Sequence, residues 1–197
     1  MALKIALTGG IAAGKSALAR GFTERGITVV EADRIAHALL EINTPSYHTI
    51  VAHFSKNILN PDLTVNRTIL REIIFNNPSQ KIWLEQTLHP LIKEQLLNTL
   101  NAVQGPYAIA VIPLLVETGW QRLFDYVVTV EANADIRLKR LIQRDQISAN
   151  LAKQMIQQQA TPEARAAIAH TVITLNTFDK LDDILFSLDQ QWRQLIK

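Results

Sequence analysis

The chain of 197 residues contains no cysteine. This absence excludes disulfide bonds, iron–sulfur clusters, cysteine-ligated zinc sites and a thiol nucleophile. Long apolar runs are also absent, because the longest, residues 107–116, is far shorter than the ~20 residues that a helix needs to cross a bilayer. The first residues lack the apolar stretch and cleavage site of a signal peptide. We therefore expect a cytoplasmic protein with no membrane partner.

An excess of charge of one sign is absent as well. The 20 lysines and arginines are balanced by 18 acidic residues, the net charge is +2, and the basic residues form no long run. A nucleic-acid-binding surface needs a concentrated basic patch, so we expect no nucleic-acid partner, and no feature calls for an obligate protein partner. With 48% hydrophobic residues and no repeats, residues 1–197 are predicted to form a single domain.

The pattern G-x-x-x-x-G-K-[ST] is present at residues 9–16, as "GGIAAGKS". It lies between an apolar run typical of a buried strand and a helix-forming segment that Gly26 ends. In this context the loop amides and the helix N-terminus bind phosphate, Lys15 contacts the outer phosphates, and the Ser16 hydroxyl ligates Mg²⁺. The alternative is an ordinary glycine-rich turn. The predicted ATP-binding residues, called the phosphate loop below, are Gly9, Gly10, Ile11, Ala12, Ala13, Gly14, Lys15, Ser16 and Ala17.

Strand-like segments alternate with helical ones along the rest of the chain. The five strand-like segments are residues 4–8, 27–32, 107–112, 126–130 and 171–175. This alternation predicts an α/β protein of the P-loop kinase fold, with a five-stranded parallel sheet flanked by helices. Residues 36–102 contain helical pieces only, so we predict a helical insertion that binds the phosphoryl acceptor, the alternative being helices that merely pad the sheet. The C-terminal stretch is predicted to be an amphipathic helix with its apolar side in the core.

Asp33 directly follows the second predicted strand. Ligands in open parallel sheets bind at the carboxyl ends of the strands, so we expect Asp33 beside the phosphate loop. There its carboxylate would accept a proton from an attacking hydroxyl or help to hold Mg²⁺. The alternative is an N-cap for the helix that begins at Arg34.

Three arginines, Arg137, Arg140 and Arg144, lie on one face of a predicted helix. Guanidinium groups bind phosphate oxygens in pairs, whereas the alternative is a solvated basic face. A kinase must also complete its charged site only after the acceptor binds, because water would otherwise hydrolyse ATP. We therefore predict a helical lid over residues 133–163, hinged near residues 132–134 and 161–162, that carries Arg140 to the transferred phosphate.

From end to end the chain resembles the dephospho-coenzyme A kinase family. The pieces that carry the resemblance are "LTGGIAAGKS" (7–16), "EADRIA" (31–36), "NRTILREIIF" (66–75), "LHPLI" (88–92), "PLLVE" (113–117), "RLIQRD" (140–145) and "QQATPEARAAIAHTVI" (158–173). The resemblance implies ATP-dependent phosphorylation of the ribose 3′-hydroxyl of dephospho-coenzyme A, the last step of coenzyme A synthesis. The acceptor is therefore expected to be a small molecule.

The resemblance also implies roles for individual residues. It makes Lys15, Asp33 and Arg140 catalytic, and Ser16 and Asp33 ligands of Mg²⁺. Further nucleotide contacts are implied for Arg144 and Asn176, and substrate contacts for Thr8, Asp33, His89, Leu114 and Arg140. Locally, His89 could instead simply precede a helix that begins at Pro90.

Two of the departures from the family pattern concern nucleotide binding. The family's loop typically reads GGIGSGKST, whereas Ala12, Ala13 and Ala17 stand here, and Leu175 stands where an asparagine near the adenine aligns. We expect Asn176 to substitute for that asparagine. Two other functions remain open: a P-loop kinase for another hydroxyl-bearing metabolite, and a nucleotide-binding scaffold that has lost catalysis. A GTPase is disfavoured because the chain has no N-K-x-D motif.

Overall fold

The structure, a computed structural model, describes residues 2–196. Within this range the chain forms one sheet with the strand order β2-β3-β1-β4-β5, and every neighbouring pair is parallel. The strands are β1 (Leu3–Gly9), β2 (Thr28–Glu31), β3 (Tyr107–Val111), β4 (Tyr126–Glu131) and β5 (Thr171–Thr174). The predicted five-stranded parallel sheet is confirmed.

Helices occupy most of the remaining chain between residues 2 and 196. They are α1 (Lys15–Glu24), α2 (Ala32–Ala38), α3 (Pro45–Phe54), α4 (Arg67–Asn76), α5 (Pro78–Asn101), α6 (Leu115–Thr118), α7 (Ala134–Asp145), α8 (Ala149–Gln157), α9 (Pro162–Ala167) and α10 (Leu181–Leu195). Two short 3-10 helices cover Lys56–Ile58 and Trp120–Leu123.

The central strands are mostly apolar, as expected where helices cover both faces of a sheet. All five residues of β3 are buried, and so are the last five of β1, as expected for parallel strands with both faces packed. Phe22 of α1 and Trp192 of α10 belong to the same apolar core, with ring centroids 5.0 Å apart. Leu185 and Leu188 of α10 are buried there too, which confirms the predicted C-terminal amphipathic helix.

The chain divides into two compact units. The first contains the residues up to Glu31 and those from Leu100 onward, and it holds the whole sheet. The second spans Ala32–Thr99 and contains α2, α3, α4 and most of α5. The predicted insertion, residues 36–102, falls almost entirely in this second unit, and its role in acceptor binding stays a prediction.

Helix α5 continues through Pro90, so the alternative in which a helix begins at that proline is wrong. Proline removes one main-chain N–H and favours a kink, which made a helix start at Pro90 plausible from the sequence. Side chains at a spacing of four residues along α5 are buried, namely Leu84, Leu88, Ile92 and Leu96. Packing of this apolar stripe keeps the helix continuous across the proline.

Candidate active site

The phosphate loop begins where β1 ends, and two of its glycines are required by the backbone. Gly9 has φ +143°, and a β-carbon built there would lie 2.1 Å from the carbonyl oxygen of Val130 on β4. Gly14 has φ +115° at the N-terminus of α1. Both positions exclude other residues, because a side chain would be strained at each and would collide with β4 at Gly9. The loop conformation is therefore encoded by its glycines.

Lys15 and Ser16 are the first two residues of α1. No side chain caps the N-terminus of this helix, so its positive end faces the loop. The Lys15 ammonium donates to the carbonyl oxygens of Gly9 at 2.8 Å and Gly10 at 3.0 Å, and Ser16 is exposed. The lysine is thus folded across the loop, where a bound phosphate would compete with the two carbonyls for its N–H groups.

Ala12 lies in the left-handed region, with φ 59°. This is the position at which the family loop carries glycine, and a β-carbon in this conformation costs about 1–2 kcal/mol. Ala12→Gly is expected to raise the free energy of unfolding by about 0.5–1 kcal/mol, because part of the relieved strain is offset by the freer unfolded chain. Thermal unfolding should show a Tm about 1–3 °C higher.

The matched control for this change is Ala13→Gly. Ala13 is fully buried and is not among the residues with positive φ. Its replacement loses a buried methyl group and gains chain entropy, so the free energy of unfolding should fall by about 1–2 kcal/mol. If Ala12→Gly and Ala13→Gly changed the free energy of unfolding in the same direction, the assignment of strain to Ala12 would be contradicted.

Two side chains that lie far from the phosphate loop in the sequence bond its backbone. The Nε of Arg137 donates to the carbonyl oxygen of Ile11 at 3.0 Å, and the Ile11 N–H donates to the amide oxygen of Gln159 at 2.6 Å. Arg137 also lies against Gly10, where a built β-carbon would be 2.4 Å from its guanidinium carbon. The spacing of the three arginines on one helix face indicated a role for Arg137 near phosphate, whereas no local sequence pattern indicates that Gln159 contacts the phosphate loop.

A buried ion pair lies close to Arg137. Arg165 binds both carboxylate oxygens of Glu131, at 2.5 and 2.7 Å, and the two side chains are almost fully buried. Arg165 also donates to the carbonyl oxygen of Ala160. Burial lowers the pKa of Arg137, and the positive charge of Arg165 lowers it further.

The three arginines of α7 have separate environments. Arg140 donates to the carbonyl oxygens of Leu175 and Asn176, each at 2.9 Å, whereas Arg144 is exposed and pairs with Asp145 at 2.6 Å. Arg137 is buried. The alternative of a uniformly solvated basic face is therefore wrong for Arg137 and Arg140.

The loop after β5 approaches the phosphate loop. A β-carbon built on Gly14 would lie 3.1 Å from the Leu175 side chain and 3.3 Å from the Phe178 ring. The Arg140 guanidinium lies 4.5 Å from the centroid of that ring, and the amide oxygen of Asn176 accepts from the Asn133 N–H at 2.9 Å. Arg140 and Asn176 thus both take part in contacts of the loop after β5, which lies next to the start of α1.

Thr8 and Leu114 lie near the carboxyl ends of the paired strands β1 and β3. Thr8 is fully buried, and its hydroxyl donates to the carbonyl oxygen of Pro113 at 3.5 Å. Leu114 follows Pro113 and is 44% exposed. Of these two predicted substrate contacts, Leu114 offers its side chain at the surface and Thr8 supports the strand ends.

Asp33 and His89 belong to the second compact unit. Asp33 is exposed in the first turn of α2, which begins at Ala32, so its side chain does not occupy the N-cap position and that alternative is wrong. His89 is half-buried within α5. Between residues 2 and 196, no cluster of three or more acidic or histidine residues forms a ready metal site.

Comparison with known proteins decides the family. Residues 3–180 match the family model described as dephospho-CoA kinase. The chain belongs to the dephospho-CoA kinase family. It is 41% identical to the dephospho-CoA kinase of Escherichia coli (strain K12) over 87% of this chain and 84% of the relative. It is 39% identical to that of Vibrio parahaemolyticus over 91% and 88% of the two chains.

Solved structures agree with the assignment to the dephospho-CoA kinase family. The dephospho-CoA kinase of Campylobacter jejuni superposes with a TM-score of 0.73 at 30% identity, over 98% of each chain. A shikimate kinase from Bacteroides thetaiotaomicron gives a TM-score of 0.55 at 15% identity, over 96% of this chain and 97% of its own, and shares the fold alone. The predicted P-loop kinase fold and the use of a nucleotide are confirmed for this dephospho-CoA kinase family member. Between residues 2 and 196, no helix has the length and apolar character needed to traverse a bilayer.

Proposed function

We propose that this protein transfers the γ-phosphoryl group of ATP to the ribose 3′-hydroxyl of dephospho-CoA, which yields CoA and ADP. The observation that carries the proposal is the family match over residues 3–180. The phosphate loop supports it, because Gly9, Gly14, Lys15 and Ser16 retain the groups that nucleotide binding needs. Phosphoryl transfer of this kind depends mainly on positioning and on electrostatic stabilisation of the phosphates.

The proposed reaction needs a proton acceptor for the attacking hydroxyl, and we assign this role to Asp33. As the 3′-oxygen bonds to the γ-phosphorus, its proton passes to the carboxylate and the bond from phosphorus to the bridging oxygen breaks. The side chain is exposed, so it is accessible to an acceptor. Lys15 stabilises the charge on the phosphates during this step.

The donor set present suits a Mg²⁺ ion bound largely through nucleotide phosphates and water. Mg²⁺ uses few protein ligands in such sites, and the exposed Ser16 hydroxyl is a suitable one. The family resemblance adds Asp33 as a second ligand. When bound, the ion would neutralise part of the charge on the β- and γ-phosphates.

Acceptor binding is proposed for the second compact unit, Ala32–Thr99. A cavity of about 390 Å³ in this unit is lined by His37, Leu40, Glu41, Ile42, Thr64, Val65 and Arg67. Its volume falls in the range of small-molecule sites. The cation Arg67 and the apolar side chains suit an acceptor that combines a pyrophosphate with a long pantetheine arm.

Further residues are proposed to contact the acceptor or the nucleotide. Thr8, Leu114 and His89 are proposed to contribute to the substrate site, and Arg144 and Asn176 to nucleotide binding. We also propose a cytoplasmic enzyme that needs no nucleic acid, membrane or obligate protein partner.

The lid over residues 133–163 is likewise proposed. Burial of Arg137 anchors α7 at the phosphate loop, and Gln146, directly after α7, is left-handed with φ 54°. At the other end, Gln159 is bonded to Ile11. These contacts favour a moving part between Gln146 and Gln159, shorter than the segment between the hinges expected near residues 132–134 and 161–162, so Arg140 lies outside it. Hydrogen exchange across α8 should slow only when nucleotide and acceptor are both bound.

The test of the proposed function is an acceptor panel with the purified protein and ATP. Dephospho-CoA, shikimate and nucleosides should be offered, and the product of dephospho-CoA should be identified by ³¹P NMR as the 3′-phosphate. We expect turnover with dephospho-CoA at a kcat/KM at least about 10³-fold above that with any other acceptor. Equal or better use of another acceptor would refute the proposed substrate, and no turnover at all would favour the non-catalytic scaffold.

Arg140→Lys is expected to lower kcat by about 10–100-fold and to raise the KM for ATP much less. A lysine keeps the charge but loses the planar fork that stabilises the transferred phosphoryl group. The measurement is steady-state kinetics with dephospho-CoA as the acceptor. An effect confined to the KM for ATP would indicate instead that Arg140 only holds the loop after β5 in place, through its bonds to Leu175 and Asn176.

A further inference from the structure

Arg137 combines deep burial with incomplete bonding. The residue is 4% exposed, and its NH2 group is buried without a hydrogen-bond partner in the described part of the chain. One guanidinium N–H, that of Nε, is bonded to the phosphate loop at Ile11. The planar group also lies against Gly10, close enough that a β-carbon there would overlap it.

The charge near Arg137 is not balanced. Glu131 is the acidic group that acts on it, yet both carboxylate oxygens of Glu131 are bonded to Arg165. Among residues 2–196, two buried cations therefore share one buried carboxylate, which leaves one positive charge uncompensated. In a buried environment such a charge is screened little by salt and acts over several ångströms.

This arrangement is costly for the fold. A buried cation without a full set of partners loses hydration that its contacts do not restore, and an apolar side chain of similar volume often gives a more stable protein. Buried charged groups of this kind are concentrated at functional sites.

We propose that Arg137 is a positioning residue for nucleotide binding, which holds Gly10 and Ile11 of the phosphate loop and supplies a buried positive charge to the nucleotide phosphates. The inference rests on the proposed binding of ATP at the phosphate loop, but it does not depend on the identity of the acceptor. It differs from the role of Lys15, because Arg137 acts through the loop and does not touch the nucleotide.

The first test compares Arg137→Met, Arg137→Lys and the control Lys139→Met. Lys139 is an exposed residue of the same helix, so its replacement removes the same charge from the surface. The dissociation constants of ATP and ADP are measured by calorimetry, and the Tm by thermal unfolding. Calorimetry keeps the result separate from the proposed function, because it needs no acceptor and no turnover.

We expect Arg137→Met to weaken ATP binding at least about fivefold, and ADP binding less, because ATP carries the greater charge. Its Tm should equal or exceed that of the parent. Arg137→Lys should recover most of the ATP affinity, and Lys139→Met should bind like the parent. A smaller weakening of ATP binding, or one accompanied by a lower Tm in Arg137→Met, would overturn the proposal, since a merely structural role predicts that stability falls.

The second test probes the contact with Gly10. Gly10→Ala should weaken ATP binding in the parent, because the added methyl group displaces the guanidinium. In the Arg137→Ala background the same change should have little further effect, because no guanidinium remains to be displaced. Strictly additive losses in the double variant would show that the contact does not act on nucleotide binding.

Discussion

Lys15→Ala is expected to lower kcat for phosphoryl transfer by about 10³-fold or more. A positive group placed on the phosphates stabilises the charge of the transition state. The variant should also bind ATP more weakly, because the lysine contacts phosphates in the ground state as well. Steady-state kinetics with dephospho-CoA at saturating ATP measures the effect on kcat.

The fold should survive this change. In the structure the ammonium bonds the carbonyl oxygens of Gly9 and Gly10, so its loss removes these contacts within the phosphate loop. The expected decrease in stability is about 1–2 kcal/mol, or a Tm lower by about 3–6 °C. Lys139→Ala, at an exposed site, controls for net charge and should retain full activity. A fall in Tm of fifteen degrees or so, which would make the inactivity one of unfolding, contradicts this interpretation.

Asp33→Asn should reduce kcat by about 10²–10⁴-fold while the dissociation constant of ATP changes little. Asparagine keeps the shape of the side chain but cannot accept the proton of the attacking hydroxyl. The ratio of the two effects is the informative quantity. It is obtained from kcat with dephospho-CoA and from calorimetric titration with ATP alone.

A control is needed because Asp33 also lies in the first turn of α2. A carboxylate there stabilises the helix by about 0.3–1 kcal/mol through its interaction with the helix dipole. Asp183 occupies the first turn of α10 and is exposed, so Asp183→Asn removes the same kind of helix stabilisation away from the proposed site. Its kcat should equal that of the parent. Near-normal turnover in Asp33→Asn would reduce Asp33 to a helix-stabilising residue and would leave the proton acceptor to be found elsewhere.

The sheet, the phosphate loop and the family could all be predicted from the sequence alone. The apolar runs identify the strands because both faces of a parallel sheet are buried, and this demand is local to each strand. The glycines of the loop are equally local, since Gly9 and Gly14 adopt backbone conformations that other residues resist. The prediction that Lys15 and Ser16 belong to the nucleotide site then follows from their positions at the start of α1.

Helical spacing could place Arg137, Arg140 and Arg144 on a face, but it could not say what each would meet. The partners of Arg137 and Arg140 lie far away in the chain, because Arg137 bonds Ile11 at a separation of 126 residues and Arg140 bonds Leu175 at 35. Arg144 instead pairs with its neighbour Asp145. Only the packing of α7 between the phosphate loop and the loop after β5 determines the acceptors of Arg137 and Arg140.

Other features were decided by tertiary structure for the same reason. Gln159 meets Ile11 across 148 residues of chain, and no local pattern marks it as a partner of the phosphate loop. Pro90 lies inside α5 because the apolar stripe of that helix is buried, although the intrinsic preference of proline opposes it. Local patterns determine conformations whose free energy depends on a few neighbouring residues. The partner of a long polar side chain depends instead on which distant segments the fold brings within about 3 Å.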